Sequence, residues 1–313
     1  NRLILAITNN EKIGIFGDYD VDGASATALI GNYLKQLDQV FEIYIPDRTS
    51  EGYGPTAESF KKLIDKKVTA VGFEYIRDEI NSYPIVKSMS EIAGISSILI
   101  AAELLTSTSG GRGVLMGGIA GVNPVQIVII GAGTVAEYAA RSGVSLGASV
   151  KVFGNSISRL RRIQNDLSLP VSTSIMQPKV LEKSIKRADV VIGALRSKFG
   201  KTPCVISEEM VKKMKSRSVI VDVSIDQGGC FETSKLTSHE SPTFIKHDVV
   251  HYCVPNIASR SSKTASFSLS NILAPLLLKV GEGGGVKGIL LRSQNIRFGV
   301  YVYNGTLTNK GIS

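Results

Sequence analysis

Val125-Gln126-Ile127-Val128-Ile129-Ile130-Gly131-Ala132-Gly133-Thr134-Val135-Ala136 is the stretch whose reading decides the fold of this chain. Its first six residues are mostly β-branched and form a near-continuous apolar run, the pattern of a strand buried on both faces. The run enters Gly131-x-Gly133-x-x-Ala136, and a helical stretch follows from Val135 to about Ser145. A second strand, Ser149–Phe153, comes next. The spacing has a physical reason. Gly131 permits a tight turn, Gly133 lets the backbone approach a pyrophosphate, and Ala136 keeps helix and sheet close. The unpaired N–H groups of the helix N-terminus then face the phosphates. We expect a dinucleotide-binding domain of Rossmann type here, with Gly131, Ala132, Gly133, Thr134, Val135 and Ala136 forming the cradle and NAD as cofactor. The competing reading is a glycine-rich strand–helix turn with no ligand.

A domain of this kind that prefers NAD usually carries Asp or Glu at the end of the second strand, bonded to the ribose hydroxyls. This chain has Phe153-Gly154-Asn155 instead. Asn155 offers a weaker bond, and Arg159 stands nearby, so NADP stays open beside NAD. Arg159 opens the densest basic cluster, Arg159-Leu160-Arg161-Arg162, which also reads as a solvated helix face.

Outward from this unit, strands and helices alternate to about residue 255. Ahead of it, Met89–Thr106 reads as one long helix, with Ile92, Ile95, Leu99 and Ala102 at helical spacing. At the start of the chain, Ile13–Phe16, Ala24–Leu37, Phe41–Ile45, Ala57–Lys66 and Val68–Phe73 give a β-α-β-α-β rhythm, which implies parallel strands. Leu269–Val280 is a further apolar helix. Gly299–Leu307 reads as a hairpin with Asn304-Gly305 at its turn. The expected class is α/β: two Rossmann-like, doubly wound parallel-sheet domains linked by long helices.

The 313 residues carry a net charge of +9. Residues 1–67 have a net of −2 and residues 68–313 a net of +11. No unbroken apolar run reaches the roughly 18–20 residues of a membrane helix, and the first residues lack the pattern of a signal peptide. We expect no membrane association. Cys204, Cys230 and Cys253 are odd in number and far apart, and read as reduced packing thiols of a cytoplasmic protein.

From about residue 68 onward the chain resembles the alanine dehydrogenase family. Val71-Gly72-Phe73-Glu74, Met89–Gly94, the Gly131 loop, Ala188–Ala194, Val221–Gly229 and His251–Asn256 carry the resemblance, in family order and at family-like spacing. It implies oxidative deamination of L-alanine to pyruvate and ammonia, with an amino-acid or keto-acid as the small-molecule partner and a homo-oligomeric assembly. It implies that Ser90 contacts the cofactor from the long helix, that Ala194 and Leu195 line the adenosine side, and that Val223 and Asp226 lie near nicotinamide and substrate. Asp226 would be the catalytic group. Val254, Asn256 and Ile257 would close over the nicotinamide. Asp226 also reads as a turn or capping residue before Gly228-Gly229, and Asn256 as a cap. The histidines, His239, His247 and His251, match no catalytic histidine of that family.

The first 67 residues resemble a different family. Asp18-Tyr19-Asp20-Val21-Asp22-Gly23, Tyr44–Arg48 and Glu51–Gly54 look like the start of a RecJ-type single-strand exonuclease of the DHH phosphoesterases. Alternate acidic residues after a strand suit Mn²⁺ or Mg²⁺. Asp18, Asp20 and Asp22 would form a partial, weak metal site, since no His precedes residue 239. The acidic balance of this segment argues against nucleic acid as a partner. The chain thus reads as a chimera joined near Lys67. Its expected segments are a RecJ-like β-α-β-α fragment over 1–67, the rest of a substrate-type domain with the linking helix over 68–107, the NAD-binding domain over 108–258, and a return helix with a hairpin packed on the first domain over 259–313. The expected function is an alanine dehydrogenase impaired by its replaced substrate segment. The alternatives are an NAD(H)-binding module without turnover and a metal-dependent single-strand DNA phosphoesterase.

Overall fold

Short apolar strands separated by amphipathic helices cover both faces of a parallel sheet, and this arrangement organises the chain in a computed structural model. The structure describes residues 7–8, 13–17, 21–45, 61, 64–65, 69–167, 170–197, 201–282 and 285–308. It divides into two units, residues 1–89 with 261–313, and residues 90–260.

The second unit holds the strands β4 (Gln126–Ile130), β5 (Ser149–Gly154), β6 (Ser172–Ile175), β7 (Val190–Gly193), β8 (Val219–Asp222), β9 (Thr243–Lys246) and β10 (Val249–Tyr252). They form one seven-stranded sheet in the order β6-β5-β4-β7-β8-β10-β9. All neighbours are parallel except β10 and β9. β4 pairs with β5 on one side and β7 on the other, so the strand order reverses there, the place where open α/β sheets bind ligands.

Both faces are covered, which is why the strands read as continuous apolar runs. On one face Ile127, Ile129, Val152, Ile192 and Val221 pack with Ile98 and Ala101 of a long helix and with Ala136, Ala139 and Ala140 of the helix Thr134–Ser145. On the other, Val128, Ile130, Phe153, Val191 and Ile220 pack with Leu181 and Ile185 of the helix Pro178–Arg187.

In the first unit, β1 (Ile13–Phe16) and β2 (Phe41–Tyr44) pair in parallel around α1 (Val21–Gln36). The next strand differs from the sequence reading. β3 is only Ala70–Val71, and among the described residues it does not extend the β1–β2 pair. It lies antiparallel to β11 (Val300–Tyr303), which turns through Asn304 and Gly305 into β12 (Thr306–Leu307). The reason is local. The Gly72 N–H donates to the Gly299 carbonyl at 2.7 Å, and a Cβ at Gly72 would fall 1.9 Å from the Tyr301 ring. The glycine leaves room for the hairpin, and the hairpin takes the strand.

Helix boundaries shift in an instructive way. The long helix, α2, spans Pro84–Leu104 and starts five residues earlier than the apolar spacing suggests. Proline suits a first helical turn, where its missing N–H costs nothing. The last long helix spans Ser262–Glu282 and runs through Pro275. Among the described residues two helical segments, Pro84–Leu104 and Ile257–Glu282, are long and apolar enough to cross a membrane by length and composition. Small and polar residues interrupt their apolar stretches, so neither contains an unbroken apolar run of that length. Half of the first is buried inside the molecule, against 11% of the second.

Candidate functional site

The loop after β4 shows why each small residue is needed. Gly131 has φ +128°, and a Cβ there would lie 2.2 Å from the Ala194 carbonyl oxygen. The Ala194 N–H donates to the Ile130 carbonyl at 2.8 Å, and the Gly131 N–H to the Phe153 carbonyl at 2.8 Å. Gly131 is thus seated between the ends of β5 and β7, which brings Ala194 and Leu195 to the loop. Gly133 is different. It has extended backbone and caps α3 (Thr134–Ser145) without a side-chain cap bond. Apart from its two chain neighbours, no atom lies within 4 Å of where its Cβ would stand. Open space therefore adjoins a helix N-terminus whose first N–H groups lack a capping side chain. Thr134 and Val135 are half-buried, and Ala136 is fully buried.

α2 crosses this first turn closely. A Cβ at Gly94 would sit 2.6 Å from the Val135 carbonyl oxygen and 2.8 Å from the Tyr138 Cβ. Ser90 lies one turn earlier on the same face of α2.

The end of β5 lies against the loop. A Cβ at Gly154 would fall 2.8 Å from the Ala132 Cβ and 3.3 Å from Leu160 Cδ2. Asn155 and Arg159 are exposed, and α4 (Ile157–Leu167) begins between them. The Ser156 and Ser158 hydroxyls are 2.9 Å apart, and the Arg159 N–H donates to Ser156 Oγ at 3.4 Å. The basic cluster is divided in its roles. Leu160 is buried and Arg162 pairs with Glu137 at 3.2 Å.

Two loops on the other side of β4 are stitched together. β8 ends on Asp222, a fully buried carboxylate. It accepts from Ser224 N–H and Cys230 N–H, each at 3.0 Å, and from the Ser234 hydroxyl at 2.6 Å. Burial pushes its carboxyl up, against the pull of these bonds. The tight turn Val223–Gln227 follows. Within it, Ser224 Oγ accepts from the Leu195 N–H at 2.9 Å. Exposed Asp226 accepts from the Asn256 N–H at 2.7 Å, and Asn256 stands in the left-handed region at φ +55°. Val223 is half-buried, and Val254 and Ile257 are buried in the same core as β4. The structure thus brings together Gly131, Ala194, Leu195, Val223, Asp226 and Asn256 through the loops after β4, β7, β8 and β10.

Asp222 escaped the sequence reading. Its signal was present in the glycines around it. A Cβ at Gly193 would fall 2.5 Å from Asp222 Oδ1, and one at Gly229 2.7 Å from Oδ2. Small residues make room for a buried carboxylate.

The histidines are engaged elsewhere. His251 is fully buried and stacked on Phe244, with Nδ1 2.9 Å from the Val249 carbonyl and Nε2 2.8 Å from the Thr233 hydroxyl. The carbonyl can only accept, so Nδ1–H donates and Nε2 accepts. Burial lowers its pKa from 6.5 to about 4. His247 pairs with Glu208 at 2.5 Å, and His239 bonds Ser259 at 2.8 Å. The three cysteines are free. Burial raises all three thiols above their ordinary range, Cys253 to about 11. Among the described residues no group of three or more His, Cys, Asp or Glu is placed to hold a metal ion. Asp18, Asp20 and the Asp22 side chain lie outside the described residues.

Alanine dehydrogenase 2 of Staphylococcus aureus (strain USA300) is 37% identical over 252 residues, covering 80% of this chain and 68% of that protein. A solved L-alanine dehydrogenase superposes with a TM-score of 0.76 at 32% identity, over 90% of this chain and 76% of the other. The transhydrogenase structure from Sinorhizobium meliloti shares the fold, with a TM-score of 0.72 at 16% identity, over 95% of this chain and 100% of the other. Residues 97–310, which hold the Gly131 loop and every stitched turn after it, match the alanine dehydrogenase/PNT C-terminal domain. By that match and by its identity to the staphylococcal enzyme, the chain belongs to the alanine dehydrogenase family.

Proposed function

We propose that this chain is an NAD-dependent alanine dehydrogenase, which converts L-alanine, NAD⁺ and water to pyruvate, ammonia, NADH and a proton. The observation that carries the reading is the contrast between Gly131, which the fold itself requires, and Gly133, which the fold does not. A glycine with empty space at its Cβ, beside an uncapped helix N-terminus, is suited to a pyrophosphate. The residues present fit the cofactor. Gly133, Thr134 and Val135 would hold the pyrophosphate, Ala194 and Leu195 the adenosine side, and Ser90 would contact it from α2. When bound, the nicotinamide ring supplies the hydride acceptor.

Half-buried Val223 would offer apolar surface to the ring, buried Val254 and Ile257 would back it from the core, and Asn256 fixes the turn beside it. Asp226 is the acid/base group of this reading. It is exposed, and the bond from the Asn256 N–H orients its carboxylate. The three histidines are engaged by other partners, His251 by Thr233, His239 by Ser259 and His247 by Glu208. Turnover resting on Asp226 alone is slow. A missing acid/base partner costs roughly 10²–10⁴ in rate.

The test has two steps. NADH binding is followed by fluorescence titration, and alanine-dependent NAD reduction by absorbance. Binding with slow turnover is expected. Binding without turnover selects a dinucleotide-binding module, a reading the engaged histidines favour. Absence of binding overturns both.

A further inference from the structure

We infer that the ribose end of this cradle accepts a 2′-phosphate, so that the chain binds NADPH at least as tightly as NADH. The inference rests on the dinucleotide reading of the Gly131 loop and concerns a different part of it, the turn after β5.

Preference for the unphosphorylated cofactor depends on a carboxylate at the end of the second strand. It accepts bonds from the ribose hydroxyls and repels a 2′-phosphate. Here that position is Gly154, and its backbone is held tightly. A Cβ would meet Ala132 Cβ at 2.8 Å and Leu160 Cδ2 at 3.3 Å. Ala132 belongs to the cradle, so Gly154 abuts the site by contact, and the packing that places it there leaves no room for a carboxylate.

The charge around it follows the same direction. No Asp or Glu occurs between Glu137 and Asp166. Both of those acids face Arg162, at 3.2 and 3.9 Å, and Glu137 also faces Arg141 at 3.8 Å. The acids at the edge of this region are thereby neutralised. Arg159 and Arg161 are exposed and make no ion pair among the described residues. Asn155, Ser156, Ser158 and Arg159 surround the first turn of α4, an eleven-residue helix. Amide, hydroxyl and guanidinium donors are what a dianionic phosphate monoester requires, and a guanidinium can bind it with two parallel bonds.

The experiment titrates the protein with NADPH and NADH in parallel, reading cofactor fluorescence. NADPH is expected to bind at least as tightly as NADH. Arg159→Ala should weaken NADPH by about tenfold or more, the loss of a charge-assisted bond, and leave NADH within about twofold. Arg159 is exposed, so the variant should fold, and the unchanged NADH affinity reports this directly. NADPH weaker than NADH by about tenfold overturns the inference and keeps the dinucleotide reading. Loss of both affinities in Arg159→Ala also overturns it, since the role would then not be specific to the phosphate. If neither cofactor binds the unaltered protein, the dinucleotide reading itself falls, and the inference with it.

Discussion

The two halves of the seven-stranded sheet solve the same problem differently. In the half built on β4, β5 and β6, the loops at the strand ends are shaped mainly by backbone. Gly131, Gly133 and Gly154 set the distances, and few side-chain bonds hold them. In the half built on β7, β8 and β10, the loops are held by side chains. Asp222 gathers three donors, Ser224 takes the Leu195 N–H, and Asp226 takes that of Asn256. A phosphate is bound by backbone N–H groups, so its cradle needs bare main chain. A reacting group needs an oriented side chain, so its turn needs anchoring. On the proposed function, the difference between the halves is the difference between holding a cofactor and doing chemistry beside it.

Three experiments can break or sharpen that contrast. The largest effect is expected in the anchored half. Asp226→Asn should lower kcat for alanine oxidation by roughly 10²–10⁴ and leave NADH affinity within a few-fold. Equal losses in both would place Asp226 in binding instead. Next comes a pair within the bare half. Gly131→Ala forces a Cβ onto the Ala194 carbonyl at a left-handed φ, and should cost roughly 3 kcal/mol in urea unfolding. Gly133→Val should cost no more than about 1 kcal/mol yet abolish NADH binding. If Gly131→Ala is as stable as the unaltered protein, the distinction between the glycines collapses.

The third test concerns acid stability in the anchored half. The folded pKa of His251 is about 4, below its ordinary 6.5. Such a histidine must stay neutral in the core. Its contribution is present above pH 6.5 and is lost as pH falls toward 4, by up to about 3 kcal/mol. His251→Gln should flatten that part of the urea-stability profile. An equally steep profile in the variant would assign the loss to other groups.

The sequence disclosed the bare half more fully than the anchored one. The Gly131 loop is contiguous, and its glycines answer to local backbone requirements, so spacing alone exposes them. The strand–helix alternation and the hairpin turn at Asn304-Gly305 are local in the same sense. Asp222 was missed because its meaning comes from Ser234 and from glycines at 193 and 229, which sequence distance separates. The Asp226–Asn256 bond spans thirty residues, and only family resemblance pointed at both ends. β3 was misplaced for a similar reason. Its composition suits an interior strand, but its partner is β11, more than two hundred residues on. Residues 1–67 gave a second resemblance, and the residues that carry its proposed metal site lie outside those the structure describes.

The stitching of the Val223–Gln227 turn has a thermodynamic consequence. Fixing one residue's backbone costs about 1–2 kcal/mol of conformational entropy. At Leu195, Ser224 and Asn256 bonds within the chain offset that cost during folding. Association on this side of the sheet therefore orders little chain. Calorimetry should find a small unfavourable entropy, and hydrogen exchange at Leu195 and Asn256 should be slow before any cofactor is added.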